Sequence, residues 1–427
     1  MNRRLAFFSI LSLRFLISAY TQDVPTRSIQ DDSSLRISIK DTWLTEAPGK
    51  VLEKGPFIHT LSGGDRIQVR AEGERGECLI ILAREIGGTF PGWAQGSWIL
   101  TRRKDTGLPE RIRIFLRSDP YTYVQFRPFA EDKSLMDVVV YNAYVVRSQS
   151  LSIPFERLLV IPVEDALRTA GTFFPRRYFD PDPGMYRELR EFTGQVRQRL
   201  PELRFRDDGA IDEQGRYVFI EDLKVQDGPG GLNCSGFAKW IVDGILRPRT
   251  GERLTILPLK EPFGDRSSSF SEAYEQLRDP FFGLDWTRNL AAAAGDFEAL
   301  EEIEVQRGTF ASVIRRNEGK SSVRAYPGFL RNAGFDIEGL HPLLYTLAID
   351  EPGFIYLASV NQEIGPAPRM RQHFHVAVLV PYFTETGNFR IALFESASET
   401  SFTNFKTRYP GHYINLVRIP VEGVFDP

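Results

Sequence analysis

The chain has 427 residues, 42% of them hydrophobic and 26% charged, an ordinary globular composition that excludes a wholly disordered or fibrous protein and leaves room for two or three domains. A formal net charge of -3 gives no basic footprint for nucleic acid, so a nucleic-acid partner is not expected. Two cysteines exclude a disulfide framework, and together with five scattered histidines they give no zinc-ligand spacing, so neither a metal nor another cofactor is expected.

Residues 1–22 read as a secretory signal peptide: Arg3 and Arg4 supply a positive start, and an apolar stretch, interrupted at Arg14, runs from Leu5 to about Ala19. That stretch is too short for a comfortable membrane span. The expectation is an exported protein, periplasmic or extracellular, with no membrane span after signal removal.

Residues 30–150 carry short alternating runs, among them Arg66–Arg70, Arg111–Leu116 and Val138–Tyr141, separated by turn-forming clusters. They predict an antiparallel β-sandwich, a candidate binding module for a glycan or protein ligand. Its Trp93, Trp98, Tyr121 and Tyr123 read as core or rim, and Cys78 as a packed strand residue. Residues 151–208 read as a helical connector, with Pro183 and Gly184 leading into a helix over Met185–Leu200 that Pro201 closes.

The reactive feature is Cys234. It opens an amphipathic helix after a turn rich in Gly228, Gly230 and Gly231, and Phe237, Trp240, Ile241 and Ile245 recur beyond it at helical spacing. A helix start stabilises a thiolate through unpaired N–H groups and the dipole. The plainer reading is a small packed apolar residue. A nucleophilic thiol needs a base. His59, His341 and His412 have no distinctive setting, whereas His373 and His375 stand at the entrance to the valine-rich strand 376–380. His375 is preferred. It shares a strand face with Ala377 and Leu379, and a small Ala377 is expected to let the Cys234 helix pack beneath the imidazole; His373 shares that parity farther out.

The chain returns through a hairpin loop over 381–388 into the strand Phe389–Ala397, where Glu395 keeps the parity of Phe389, Ile391 and Leu393. A carboxylate on an apolar face needs a partner, and a histidine on the preceding strand supplies one, fixing its tautomer. Ser396 or Ser398 takes that part if the register slips by one. Ser235 is read as a cap at the helix start.

These residues resemble the NlpC/p-sixty cysteine peptidases, a papain-like family that cuts the peptide stems of bacterial cell wall. Asn233-Cys234-Ser235-Gly236-Phe237 is similar to the family's Asp-Cys-Ser-Gly-apolar motif, Pro352-Gly353-Phe354-Ile355-Tyr356-Leu357 to its Pro-Gly-Asp-Leu strand, His375-Val376-Ala377-Val378 to its His-Val-Gly-apolar strand, and Phe394-Glu395-Ser396-Ala397 to the segment bearing its third polar residue. Gly215-Arg216-Tyr217-Val218-Phe219 is similar to a strand whose tyrosine lies near the thiol. The resemblance implies an α+β protein whose residues 209–427 form a papain-like NlpC-type domain, a Cys-bearing helix packed on an antiparallel sheet. It implies a catalytic Cys234, His375 and Glu395, with Tyr217 and Ser235 beside the substrate and oxyanion, and a peptidoglycan stem peptide or another peptide as substrate.

The chain departs from the family at Asn233 and at Phe354, each where an aspartate is usual. Cys234 and His375 are 141 positions apart, so an insertion over about 247–320 is expected, with a helical Ser271–Leu277 and an aromatic patch Phe281–Trp286, walling or occluding the cleft. Two further readings stand beside the wall peptidase: a papain-like amidase or transferase on a non-wall substrate, and an inactive secreted glycan- or protein-binding protein.

Overall fold

The computed structural model describes residues 23–263, 279–295, 329–330, 333–367 and 369–427. The expected signal peptide and the expected helix Ser271–Leu277 lie outside the described residues. The protein is α+β.

After two short helices, α1 (Ser33–Ser38) and α2 (Pro48–Leu52), eight strands follow: β1 (Phe57–Thr60), β2 (Arg66–Glu74), β3 (Glu77–Arg84), β4 (Trp98–Arg103), β5 (Pro109–Ile114), β6 (Tyr123–Ala130), β7 (Lys133–Val140) and β8 (Ala143–Leu151). Each strand pairs antiparallel with the next, in chain order across one hydrogen-bonded sheet. The expected two-sheet sandwich is thus corrected to a meander, because every strand pairs with its neighbours in chain order and none crosses to a second sheet. Alternation sets its buried face: Ile67 and Val69, Cys78, Ile80 and Leu82, and Val124 and Phe126 share the core, and Cys78 is a packed β3 residue. Trp98 is core, while Trp93 and Tyr121 are exposed.

Helices α3 (Phe155–Leu158), α4 (Val163–Ala170) and α5 (Arg187–Arg199) occupy the connector. Leu189, Phe192 and Val196 bury one stripe of α5, and Arg190 donates to the Phe383 carbonyl at 2.9 Å, so α5 braces the second sheet. A two-stranded ribbon, β9 (Gly209–Ile211) with β10 (Tyr217–Phe219), precedes helix α6 (Cys234–Thr250). Helix α7 (Phe282–Ala294) and helix α8 (Leu340–Asp350) follow.

The second sheet is built from β11 (Phe329–Leu330), β12 (Gly334–Asp336), β13 (Phe354–Ile364), β14 (Met370–Phe383), β15 (Phe389–Glu395), β16 (Ser398–Thr400) and β17 (Tyr413–Pro420), in the order β11-β12-β17-β13-β14-β15-β16. Between β16 and β17 lies the short helix α9 (Phe402–Arg408). Alternation divides the sheet cleanly. Ile355, Leu357, Val376, Val378, Val380, Ala392, Phe394, Val417 and Ile419 join the large core that holds α6 and α7. Tyr356, Ala358, Val360, Ala377, Leu379, Leu393, Ile414 and Leu416 pack instead with Leu340, Leu343, Leu344 and Leu347 of α8 and Phe405 of α9.

The expectation that Ala377 lies under the Cys234 helix is therefore corrected: Ala377 faces α8, and it is the even-numbered valines that carry α6. The expected aromatic insertion is also corrected in part. Trp286, Leu290 and Ala291 of α7 are fully buried against α6, so this portion is core.

Candidate active site

The start of α6 is held by close backbone approach. A Cβ on Gly236 would lie 2.0 Å from the Gly209 carbonyl oxygen of β9, and one on Gly230 would lie within the Tyr217 ring, so only glycine lets the turn and helix seat against the ribbon. Asn233 caps the helix, its side-chain oxygen accepting from Gly236 N at 2.8 Å. The expectation of a Ser235 cap is corrected, since Asn233 stands at the cap position and Ser235 is already inside the first turn. The side chain of Ser235 is buried, its Oγ 3.9 Å from Cys234 Sγ, and its carbonyl accepts from Trp286 Nε1 at 2.9 Å.

A bulge separates the two candidate histidines. Val360 pairs with His375 and the next residue, Asn361, pairs with His373, leaving Phe374 as the extra residue. This breaks the shared parity expected of His373 and His375, because one inserted residue reverses the alternation. His373 turns to the α7 side, where its Nδ1 meets Ser359 Oγ at 2.9 Å; burial, with Arg288 and Arg371 adding repulsion, holds its pKa down at about 3. It is a neutral core histidine.

His375 is oriented by its neighbours. Its Nε2 lies 2.7 Å from Glu395 Oε2, and the ring sits against Tyr409 with centroids 5.5 Å apart. The other oxygen of Glu395 is 2.7 Å from Arg408 Nη1. The side chain of Glu395 is only 3% exposed, and although burial raises its pKa, the bonds to His375 and Arg408 prevail and keep it ionised.

The strand β14 pairs with β13 from Met370 to Leu379, but with β15 only from Val378, opposite Phe394. Upstream of Val378 the sheet is open on its β15 side. There the half-buried Cys234 sulfur lies near enough to the His375 side chain and the Val376 N–H for both to lower its pKa. The helix therefore meets the imidazole at an open notch in the sheet rather than from beneath it. Burial raises the Cys234 pKa, yet the His375 bond and charge and the Val376 N–H together lower it below the ordinary thiol value. Burial likewise lowers the pKa of His375, and the bonds to Cys234 and Glu395 outweigh it, lifting it to about 9. The two shifts run in opposite senses, both favouring the charged forms, thiolate and imidazolium, and the two groups titrate as a unit.

Of the sequence-derived residues, the structure brings together Cys234, His375 and Glu395, with Ser235 alongside. Tyr217 lies at the turn before Cys234, its ring against Gly230, and its hydroxyl makes no hydrogen bond among the described residues. Arg408 and Tyr409 were missed. Arg408 ends α9 and Tyr409 follows it, and the one signal available was a cation close after a buried carboxylate in sequence. No group of three or more metal-binding side chains occurs among the described residues, and none of the described helices is long and apolar enough to cross a membrane.

A family model described as "Domain of unknown function (DUF8515)" matches residues 25–178, covering the meander and the first part of the connector and ending well before the Cys234 site. No curated protein and no solved structure matches the chain.

Proposed function

We propose that the protein is an exported cysteine peptidase or amidase of papain-like type, acting on a peptide amide, with the stem peptide of bacterial cell wall as its substrate. The observation that supports this reading is the continuous chain of contacts from Cys234 through His375 to Glu395. A sulfur, an imidazole and a carboxylate so connected supply nucleophile, acid–base and orienting group.

In this mechanism the Cys234 thiolate attacks the amide carbonyl carbon, forming the C–S bond as the carbonyl electron pair moves to oxygen. The N–H groups of Cys234 and Ser235, which have no acceptor among the described residues, are free to stabilise that oxyanion. Collapse expels the amine, which takes its proton from the His375 imidazolium, and leaves a thioester. His375 then removes a proton from water, which attacks the thioester and releases the acid and the thiolate. Glu395 holds the ring orientation and balances the imidazolium charge throughout.

The meander remains a candidate glycan- or protein-binding unit that holds substrate near the notch. The test is digestion of purified peptidoglycan by the full chain and by Cys234→Ala, with new amine ends measured. Release of amine by the wild type alone supports the reading. Absence of products from wall, together with turnover of other peptide amides, would transfer it to a non-wall amidase, and absence of both would overturn it.

A further inference from the structure

The contacts of Arg408 extend beyond Glu395. Arg408 is the last residue of α9, a helix whose start is capped by Ser401, accepting from Asn404 N at 3.1 Å, and whose Phe405 is fully buried in the α8-side core. That anchoring aims the guanidinium at Glu395 Oε1, and its central carbon also lies over the Tyr409 ring, 5.5 Å from the centroid. Tyr409 in turn lies on the His375 ring at an interplanar angle of 33°. One cation therefore holds both surroundings of the imidazole, the carboxylate at its Nε2 edge and the aromatic ring on its face.

We propose that Arg408 is a positioning residue for the Cys234–His375 pair, acting through Glu395 and Tyr409 so that the imidazole keeps one orientation through proton transfer. This rests on the cysteine-hydrolase reading above. A lone carboxylate could rotate and offer either oxygen in more than one geometry, whereas a carboxylate gripped on Oε1 presents Oε2 in one place. The Arg408 side chain is 44% exposed, so its direct field at the imidazole is screened, and its influence passes through the contacts it fixes.

The test is the pH profile of iodoacetamide alkylation at Cys234, read by mass spectrometry of the labelled peptide in the full chain, for wild type, Arg408→Met, Arg408→Lys, Glu395→Gln and His375→Ala. Arg408→Met is expected to move the acid limb upward, slowing alkylation below neutral pH by about threefold to tenfold, up to one pKa unit of thiolate. Glu395→Gln should do at least as much. Lysine keeps the charge without the planar fork and should restore only part of the rate. The inference is overturned if Arg408→Met superimposes on wild type while Glu395→Gln does not, or if Arg408→Met lowers the melting temperature and leaves the profile unmoved. If His375→Ala itself leaves the profile unchanged, it is the underlying cysteine–histidine reading that fails.

Discussion

Trp286 Nε1 donates to the Ser235 carbonyl at 2.9 Å, tying a fully buried ring of α7 to the residue that follows the nucleophile. Ser235 lies in the first turn of α6, so this bond ties the helix start to α7. Trp286→Phe keeps most of the packing but removes this second hydrogen bond to a carbonyl that also accepts within the helix, at a cost of about 0.5–1.5 kcal/mol. Urea unfolding should show that loss, and Cys234 alkylation should slow with it; unchanged stability would mean the bond is dispensable.

Gly236 sets a stricter limit on the same helix start. Its substitution by alanine places a methyl against the Gly209 backbone, which cannot yield as a flexible side chain could. Gly236→Ala should therefore destabilise the fold by about 1–3 kcal/mol or more through overpacking and detach the thiol from His375. Denaturant midpoint and Cys234 labelling should fall together.

Asn233→Asp tests what the uncharged cap contributes. An aspartate keeps the cap bond to Gly236 N, but it places a second negative charge beside the thiolate. Like charge raises a thiol pKa, so the acid limb of Cys234 alkylation should move upward and the rate below neutral pH should fall about threefold to tenfold, with helix stability retained. An unshifted limb would show that the cap is electrostatically remote from the sulfur.

Two histidines, His373 buried and His341 half-buried, make the fold acid-sensitive. Burial lowers the pKa of His341, enclosed by Tyr141, Phe389 and Phe402, to about 4, and that of His373 to about 3. Because the unfolded chain takes up these protons near pH 6.5 and the folded chain resists them, stability is complete above that pH and is lost as pH falls toward the folded values, by about 1.4 kcal/mol per unit per histidine. The Cys234–His375 pair adds to this. Its raised imidazole pKa contributes stability present below about 6.5 and lost as pH rises through about 9, while its lowered thiol pKa contributes stability present above the ordinary thiol value and lost as pH falls through the folded one. Where the two windows overlap, the two slopes oppose each other. Melting temperature should fall as pH drops below about 6.5, less steeply in His341→Gln; an equal acid slope in that variant would show that His341 does not contribute to it.

The strands that carry His375 and Glu395 were legible because valine-rich alternation and a turn between them leave little choice of structure, and the Cys234 helix because glycines precede a regular apolar spacing. The Phe374 bulge was not, since nothing in the sequence 370–376 distinguishes one extra residue from continued alternation. It is that residue which sends His373 to the core and His375 to the notch. The meander was mistaken for a sandwich because strand pattern fixes faces and turns but not the number of sheets. Arg408 and Tyr409 escaped notice because their role depends on where α9 ends in space, which Phe405 burial determines and local sequence does not.

The coupling of Cys234 to His375 is read from the thiolate ultraviolet absorbance of the folded chain against pH, with Cys234→Ala subtracted and His375→Ala alongside. The Cys234 signal should rise at a pH below the ordinary thiol range and retreat to or above that range when His375 is removed. A signal that rises only at the ordinary thiol value or higher, identical with and without His375, would contradict it.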